Sequence, residues 1–489
     1  MQMPYINKCF IVCLLLLTAY ASAQPRSRTI TGVVRSFDDS FPIEGVTVSI
    51  KGKQDVSGTQ QDGIFYIQVF PEDSVLVFQH PDFQQTVVRL GNSNEYNVLL
   101  QRASGWVQTY TGNWRAIFTQ AEQTVVPVQL SFVQTGNGLE LFFVNGEERF
   151  SGGLVDYQQD TLHAQLDLFE QSLLVYKDTD GQYQGLLKRN KGNAPPTRFS
   201  LAKSDERFLP IPDSTKQYQI ASKYRLLFPN GTKIDTAVAV FRQHGALLQA
   251  SILRITGDAR YLTGRVDGRK FRLSSFIGGS VTAYEGEFRE DGSLVGYTIG
   301  PRNKQLFTGI ADASASLPDA YALTKLQPDR EQLRFQLKNA VGEIISNDDE
   351  RFKGKPLIVT IGGTWCPNCM DEAGFLGKWY AQHRTKGIEV LGIMYERDTS
   401  TAYVQKAFTR FANRFNINYP LVLGGLADKQ EVVKTLPDLQ TFLAFPTTFF
   451  IGKDGKVKAI HTGFSGPATG AAYTEWVSGF QEHVAQLLQ

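Results

Sequence analysis

The chain has 489 residues, which is too long for one hydrophobic core and predicts about three domains. Its 42% hydrophobic and 20% charged residues are typical of globular proteins and exclude a disordered or membrane-embedded chain. With 50 basic against 48 acidic residues, the net charge of +2 gives no strong field, so nucleic acid is not an expected partner.

The first 23 residues are interpreted as a signal peptide. Lys8 precedes an apolar run, Cys9–Leu17, and the small residues before Gln24 predict cleavage near Ala23-Gln24. A membrane anchor is the alternative, but the run is shorter than the roughly 20 apolar residues that a bilayer requires. We therefore expect export to the periplasm without a direct membrane span.

Cleavage would leave two cysteines, Cys366 and Cys369, because Cys9 and Cys13 lie in the signal peptide. Two cysteines three positions apart close too short a loop to restrain the unfolded chain much. A structural disulfide is therefore a poor explanation for the pair. A zinc site is also a poor explanation, because the mature chain has no second cysteine pair and its histidines are scattered. No metal site is expected.

Residues 28–101 alternate apolar and polar residues in short runs separated by Gly, Asp and Pro, which predicts a small antiparallel β-sandwich. The order of Gly32-Val33-Val34, Pro42–Val48, Asp62–Phe65 and Val75–Phe78 resembles the carboxypeptidase-regulatory-like domain. That resemblance implies a seven-stranded sandwich without catalytic residues, whose role is docking or spacing.

Residues 105–323 keep a β pattern in two similar halves, which suggests an internal duplication. The halves end in a strand, an Asp-Gly turn and another strand, around Asp180-Gly181 and Asp291-Gly292. The pattern predicts antiparallel strands that form one barrel or a two-sheet sandwich, and it does not decide between them. The segment Thr256–Gly264 is interpreted as a turn between packed strands, with a ligand pocket as the alternative.

In residues 326–489, strands alternate with helical periodicity, which predicts an α/β domain with a parallel βαβ unit. Its predicted elements are the strands Pro356–Ile361, Ile388–Tyr395 and Pro420–Leu423, a helix after Cys369, the helices Thr401–Phe415 and Tyr473–Leu488, and the hairpin of Thr447–Ile451 and Val457–Ile460.

The sequence Trp365-Cys366-Pro367-Asn368-Cys369 between strand and helix, followed by Phe445-Pro446-Thr447, resembles the TlpA-like (ResA-type) disulfide reductases. The resemblance covers about 150 residues. It implies a thioredoxin-like fold in which Phe445, Pro446 and Thr447 form a cis-proline loop that faces the cysteines and binds an extended substrate. Trp365 and Pro367 are also expected to bind substrate; Trp365 would shield the thiols, with simple packing as the alternative.

The positions of the two cysteines fit thiol exchange. Cys366 is expected just before the helix, where free N–H groups and the helix dipole stabilise a thiolate, and Pro367 suits the first helical position. Cys369, one turn later, would attack the mixed disulfide that Cys366 forms. Glu372 shares the face of Cys369; the resemblance implies a role in proton transfer, and a solvated charge is the alternative. Asp371 is interpreted as solvated.

We therefore predict two all-β domains followed by an α/β thioredoxin-like domain, in an exported thiol-disulfide oxidoreductase that acts on protein disulfides. No organic cofactor is expected beyond the redox-active cysteine pair, and a membrane thiol donor is expected by analogy. Because Pro367-Asn368 lacks a basic residue, we favour a reductase. The alternatives are a peroxiredoxin-like peroxidase, which would need threonine where Gly363 stands, and an envelope binding protein with a secondary redox site.

Overall fold

The computed structural model describes residues 27–37, 40–53, 56–102, 105–192, 194–208 and 217–489. The predicted signal peptide, residues 1–23, lies outside them. One compact unit contains the described residues up to Thr109 together with Gly136–Gly138, and a second contains the others. No helix in the described ranges combines the length and the apolar character that crossing a bilayer would require.

The first unit is built from seven strands in two sheets, ordered β4-β1-β7 and β3-β2-β5-β6. The strands are β1 (Arg28–Ser36), β2 (Thr47–Ile50), β3 (Val56–Gly58), β4 (Ile64–Val69), β5 (Val75–His80), β6 (Phe83–Arg89) and β7 (Glu95–Leu100). Inward-facing side chains of both sheets share one core, in which Phe65 and Phe78 meet edge to face at 5.2 Å. The expectation of purely antiparallel strands was wrong at one place, since β1 and β7 pair in parallel.

Eight antiparallel strands at the start of the second unit close into a barrel, in which each strand pairs with its neighbours in the chain. After a short helix α1 (Gly105–Tyr110), they are β8 (Gly112–Thr119), β9 (Val125–Thr135), β10 (Gly138–Asn145), β11 (Glu148–Gln158), β12 (Thr161–Leu166), β13 (Gln171–Lys177), β14 (Tyr183–Arg189) and β15 (Thr197–Lys203). Every second residue of β10 is buried, as expected of a strand with one face towards a core.

A second barrel follows, because β16 pairs with β24 and β17 pairs with β18. Its strands are β16 (Lys223–Asn230), β17 (Lys233–His244), β18 (Leu247–Arg254), β19 (Gly257–Asp258), β20 (Leu262–Asp267), β21 (Lys270–Ser275), β22 (Thr282–Phe288), β23 (Ser293–Ile299) and β24 (Lys304–Ala311). The sequence did not decide between one barrel and a two-sheet sandwich. The structure has one barrel for each repeat. Closing each repeat on itself leaves no exposed sheet edge.

The C-terminal part has the predicted α/β fold, with the sheet order β26-β25-β29-β28-β27-β30-β31. Its elements are β25 (Gln336–Asn339), β26 (Ile344–Ser346), β27 (Leu357–Gly362), α2 (Pro367–His383), β28 (Glu389–Glu396), α3 (Thr401–Phe415), β29 (Leu421–Leu426), α4 (Lys429–Thr435), β30 (Thr447–Ile451), β31 (Val457–Thr462) and α5 (Ala471–Leu488). The predicted βαβ unit is confirmed, since β27 and β28 are parallel and α2 connects them. Helix α4, which the sequence analysis missed, has only seven residues.

Candidate active site

Cys366 and Cys369 form a disulfide at the start of α2, with their Cα atoms 5.2 Å apart. Cys366 caps the helix, and its Sγ accepts a hydrogen bond of 3.3 Å from the backbone N–H of Cys369. Pro367 takes the first helical position, as predicted. An N–H donor of the first turn therefore points at the leading sulfur, which is the arrangement that stabilises a thiolate there.

The loop before Cys366 is held by a buried carboxylate, Glu396, at the end of β28. Its two oxygens accept hydrogen bonds from the Thr364 N–H at 2.9 Å and from the Thr364 hydroxyl at 2.8 Å. Burial raises the pKa of Glu396 to about 7, although these hydrogen bonds oppose the shift. Sequence reasoning missed Glu396; its only local signal is an acidic residue directly after the run Val390–Tyr395, which has no charged residue.

Trp365 is fixed beside the pair by its own hydrogen bond, which its indole N–H donates to the Tyr395 carbonyl at 2.8 Å. Its ring packs edge to face against Phe445 at 5.7 Å. A Cβ atom on Gly363 would lie 2.4 Å from the indole nitrogen. The threonine that a peroxiredoxin needs at this position would therefore displace Trp365, which weighs against that alternative.

Glu372 lies on α2, one turn after Cys369, and its side chain is buried. It accepts hydrogen bonds of 2.5 Å from the hydroxyls of Thr360 on β27 and Thr448 on β30. Burial raises its pKa to about 7, and the two hydrogen bonds only partly offset this effect. Of the two interpretations that the sequence left open, a solvated charge does not fit this position.

The loop before β30 also lies next to the cysteine pair. The Phe445-Pro446 bond is cis, and the Phe445 carbonyl oxygen lies 3.7 Å from the Sγ of Cys366. The Pro446 carbonyl accepts a hydrogen bond from the Gly463 N–H at 2.9 Å. Thr447 is buried, and its hydroxyl donates to the Ala444 carbonyl at 2.7 Å, so its side chain holds the loop together.

The interpretation of Asp371 as a solvated residue was wrong. Its carboxylate lies 2.5 Å from a guanidinium nitrogen of Arg260, and 17% of its side chain is exposed. Arg260 belongs to the second barrel, between β19 and β20, and no pattern in the sequence connects it with α2. Burial raises the pKa of Asp371, and the ion pair with Arg260 opposes this rise.

A cleft of about 790 Å³ reaches the two residues that flank Cys366 in the chain. Trp365 and Pro367 form part of its wall, together with Arg397. Other lining residues come from both barrels and include Arg189 and Lys191. The volume lies within the range of about 300–1,000 Å³ that is typical of ligand pockets.

The structure thus places six of the eight predicted site residues around one disulfide, and Glu372 and Thr447 lie behind them. These six residues are Cys366, Cys369, Trp365, Pro367, Phe445 and Pro446. The residues that sequence reasoning missed are Thr360, Thr364, Glu396, Thr448, Asp258 and Arg260, all of which act through contacts distant in sequence.

Comparisons with known proteins found relatives of the C-terminal part of the chain. The Redoxin family model matches residues 315–474. Thiol-disulfide oxidoreductase ResA of Geobacillus kaustophilus is 30% identical over 112 residues, which cover 23% of this chain and 57% of that protein. ResA of Bacillus subtilis is 28% identical over 129 residues, which cover 26% of this chain and 64% of that protein. The chain therefore spans less than two thirds of the length of these relatives.

Among solved structures, a putative thiol:disulfide interchange protein DsbE from Chlorobium tepidum aligns with 34% of this chain and all of its own. The sequence identity is 18% and the TM-score 0.26. A thiol-disulfide oxidoreductase from Bacteroides fragilis aligns with 31% of this chain and 99% of its own, at 21% identity and a TM-score of 0.24.

Proposed function

We propose that this protein is a thiol-disulfide oxidoreductase whose reacting pair is Cys366 and Cys369. The Redoxin match over residues 315–474 and the similarity to ResA over 112 residues support this proposal. The observation that carries the proposal is the disulfide at the N-terminus of α2, next to the Phe445 carbonyl. This position stabilises a sulfur anion, and the thiolate is the attacking species in disulfide exchange.

The reaction begins from the reduced pair. The Cys366 thiolate attacks one sulfur of a substrate disulfide, the substrate S–S bond breaks, and the first substrate sulfur leaves as a thiolate. Cys366 is then joined to the substrate by a mixed disulfide. The hydrogen bond that the Cys369 N–H donates to Sγ supports the attacking anion before this step.

In the second step, the Cys369 sulfur attacks Sγ of Cys366 and releases the second substrate thiolate. Two electrons pass from the cysteine pair to the substrate, and the pair becomes the disulfide of the structure. Cys369 must lose its proton to attack. Glu372, with a pKa of about 7 and a position one turn away, takes that proton and passes it towards the leaving thiolate.

The substrate of this reaction is a protein disulfide carried on an extended segment. The cleft beside Trp365 and Pro367 supports this assignment, because its volume suits a stretch of chain and a flat folded surface would not enter it. The absence of a basic residue in Pro367-Asn368 supports the reductase direction.

A reductase must be reduced again after each turnover. A dithiol donor in the membrane would supply two electrons to the Cys366–Cys369 disulfide, and the activity would lie in the periplasm. The signal-peptide pattern of residues 1–23, with cleavage near Ala23-Gln24, supports this location.

The test is the reduction of insulin disulfides by the full-length protein, with dithiothreitol as the electron source. We expect turnover with the wild type and none above background with Cys366→Ser. A folded Cys366→Ser variant that retains the wild-type rate would overturn the proposal. Hydrogen peroxide serves as the competing substrate, and faster turnover of peroxide than of insulin would favour the peroxidase alternative.

A further inference from the structure

Both residues between the two cysteines are held by the second barrel. Arg260 donates a hydrogen bond of 3.0 Å from its guanidinium to the Pro367 carbonyl. The Asn368 side-chain amide donates to Asp258 at 3.2 Å, and Asp258 also accepts the Gly466 N–H at 2.6 Å. One short segment of the barrel, which contains Asp258 and Arg260, therefore binds both the first turn of α2 and the loop after β31.

This segment is tightly fitted. A Cβ atom on Gly257 would lie 2.5 Å from the Asn368 amide oxygen, and one on Gly463 would lie 2.9 Å from the Ile255 carbonyl. Arg260 has a positive φ of 54° and a backbone N–H that donates to Asp258 at 2.6 Å. A non-glycine residue in this conformation is uncommon and persists where the surroundings fix it.

The guanidinium of Arg260 is buried between two carboxylates. One nitrogen lies 2.5 Å from Asp371 on α2, and another lies 2.5 Å from Glu148 in the first barrel. Asp258 is the third acidic group beside it, Tyr261 is a further titratable neighbour, and Tyr473 lies near Asp371. Arg260 is thus the cation that balances the acidic groups next to the first turn of α2.

The charge balance matters for the cysteine pair. Asp371 follows Cys369 by two residues, so its negative charge would oppose a thiolate at the start of the helix if nothing compensated it. In this partly dry environment such repulsion is weakly screened. The ion pair with Arg260 compensates this charge, and the hydrogen bond to the Pro367 carbonyl fixes the turn in which the Cys369 N–H faces Cys366.

We propose that Arg260 is a positioning residue of the redox centre, through which the second barrel sets the reduction potential of the Cys366–Cys369 pair. The inference rests on the proposed function, because it concerns the same pair. Reduction of the disulfide takes up two electrons and two protons. Any group that stabilises the thiolate form of Cys366 lowers the free energy of the reduced state and raises the potential.

The test measures two properties of the protein itself and requires no protein substrate. The reduction potential is obtained by equilibration with dithiothreitol buffers, and the thiol pKa of Cys366 comes from its alkylation rate as a function of pH. For Arg260→Met we expect alkylation at pH 7 to slow about tenfold. We also expect the equilibrium constant for reduction to fall about tenfold, which corresponds to a potential about 30 mV more negative.

Asp371→Asn should act in the opposite direction, because it removes the negative charge and leaves Arg260 in place. The double variant Arg260→Met/Asp371→Asn should return most of the way to the wild type, and Arg260→Lys should recover part of the loss. Arg225→Met is the control, since Arg225 pairs with Asp312 elsewhere on the same barrel. It should leave both measurements unchanged.

A purely structural role would lower the resistance of the Arg260 variants to urea without moving either measurement, and that result would overturn the inference. If Arg260→Met does not fold, Asp371→Asn decides by itself: a potential equal to that of the wild type overturns the inference. If the wild type does not reduce insulin, the proposed function is wrong. The reduction potential and the thiol pKa of Cys366 can still be measured in that case.

Discussion

The Thr448 hydroxyl on β30 donates a hydrogen bond of 2.5 Å to the buried carboxylate of Glu372 on α2. This contact ties the strand that follows the cis-proline loop to the helix that carries the cysteines. Thr360 binds the other carboxylate oxygen from β27. Burial raises the pKa of Glu372 while both hydroxyls lower it, and the resulting value of about 7 suits a group that exchanges protons near neutral pH.

The first prediction concerns Glu372→Gln. Glutamine keeps the shape of the side chain but cannot take a proton from Cys369, so insulin reduction at pH 7 should fall about 100-fold, the lower end of general acid–base effects. The limb of the pH–rate profile near pH 7 should disappear. The exposed Glu482→Gln is the matched control and should behave like the wild type. An unchanged profile would remove Glu372 from the reaction.

The second prediction concerns the stability of the fold as a function of pH. The pKa values of Glu372 and Glu396 are both raised from 4.5 to about 7, so the folded state binds their protons more tightly than the unfolded state does. The stability they contribute is therefore complete below pH 4.5 and is lost as pH rises to about 7. Each shift corresponds to about 3 kcal/mol.

Urea unfolding at pH 5 and pH 8, followed by tryptophan fluorescence, measures this effect. The midpoint should be lower at pH 8, and Glu396→Gln should reduce the difference between the two pH values. A wild-type midpoint that rises from pH 5 to pH 8 would contradict the raised pKa values.

The third prediction separates the roles of the two cysteines. Cys369→Ser keeps the attacking thiolate of Cys366 but cannot resolve the mixed disulfide, so a covalent complex with the substrate should accumulate. Non-reducing gel electrophoresis followed by mass spectrometry detects it. Cys366→Ser should form no such complex. Accumulation with Cys366→Ser alone would mean that Cys369 is the leading nucleophile.

The fourth prediction concerns Gly363→Ala. The added Cβ would lie 2.4 Å from the Trp365 indole nitrogen and 2.7 Å from the Tyr395 carbonyl oxygen, so the hydrogen bond between them must break. We expect a loss of about 1–3 kcal/mol in the free energy of unfolding. Gly374→Ala is the control: its Cβ would lie 3.6 Å from Phe415, and alanine in a helix stabilises by up to about 1 kcal/mol. Equal effects of both substitutions would contradict the role of Gly363.

Local patterns in the sequence predicted much of the α/β domain. Helix α3 and strand β30 have the predicted bounds, Thr401–Phe415 and Thr447–Ile451, because periodicity and flanking residues determine them within a few positions. The helix after Cys366 was predicted for the same reason, since Pro367 favours a helix start. In the duplicated region, both Asp-Gly turns lead into the second-last strand of a barrel, β14 or β23, so the sequence already indicates the repeat.

What the sequence determined by itself is the local setting of the pair: two cysteines at a strand-to-helix turn, with proline at the first helical position. The tertiary structure alone decided that each β repeat closes separately, that Glu396 holds Thr364 and that Arg260 pairs with Asp371. The physical reason is the separation along the sequence of the residues that interact. A helix start depends on residues a few positions apart, whereas 50 basic and 48 acidic residues allow many pairings, and only the packed chain selects which of them meet.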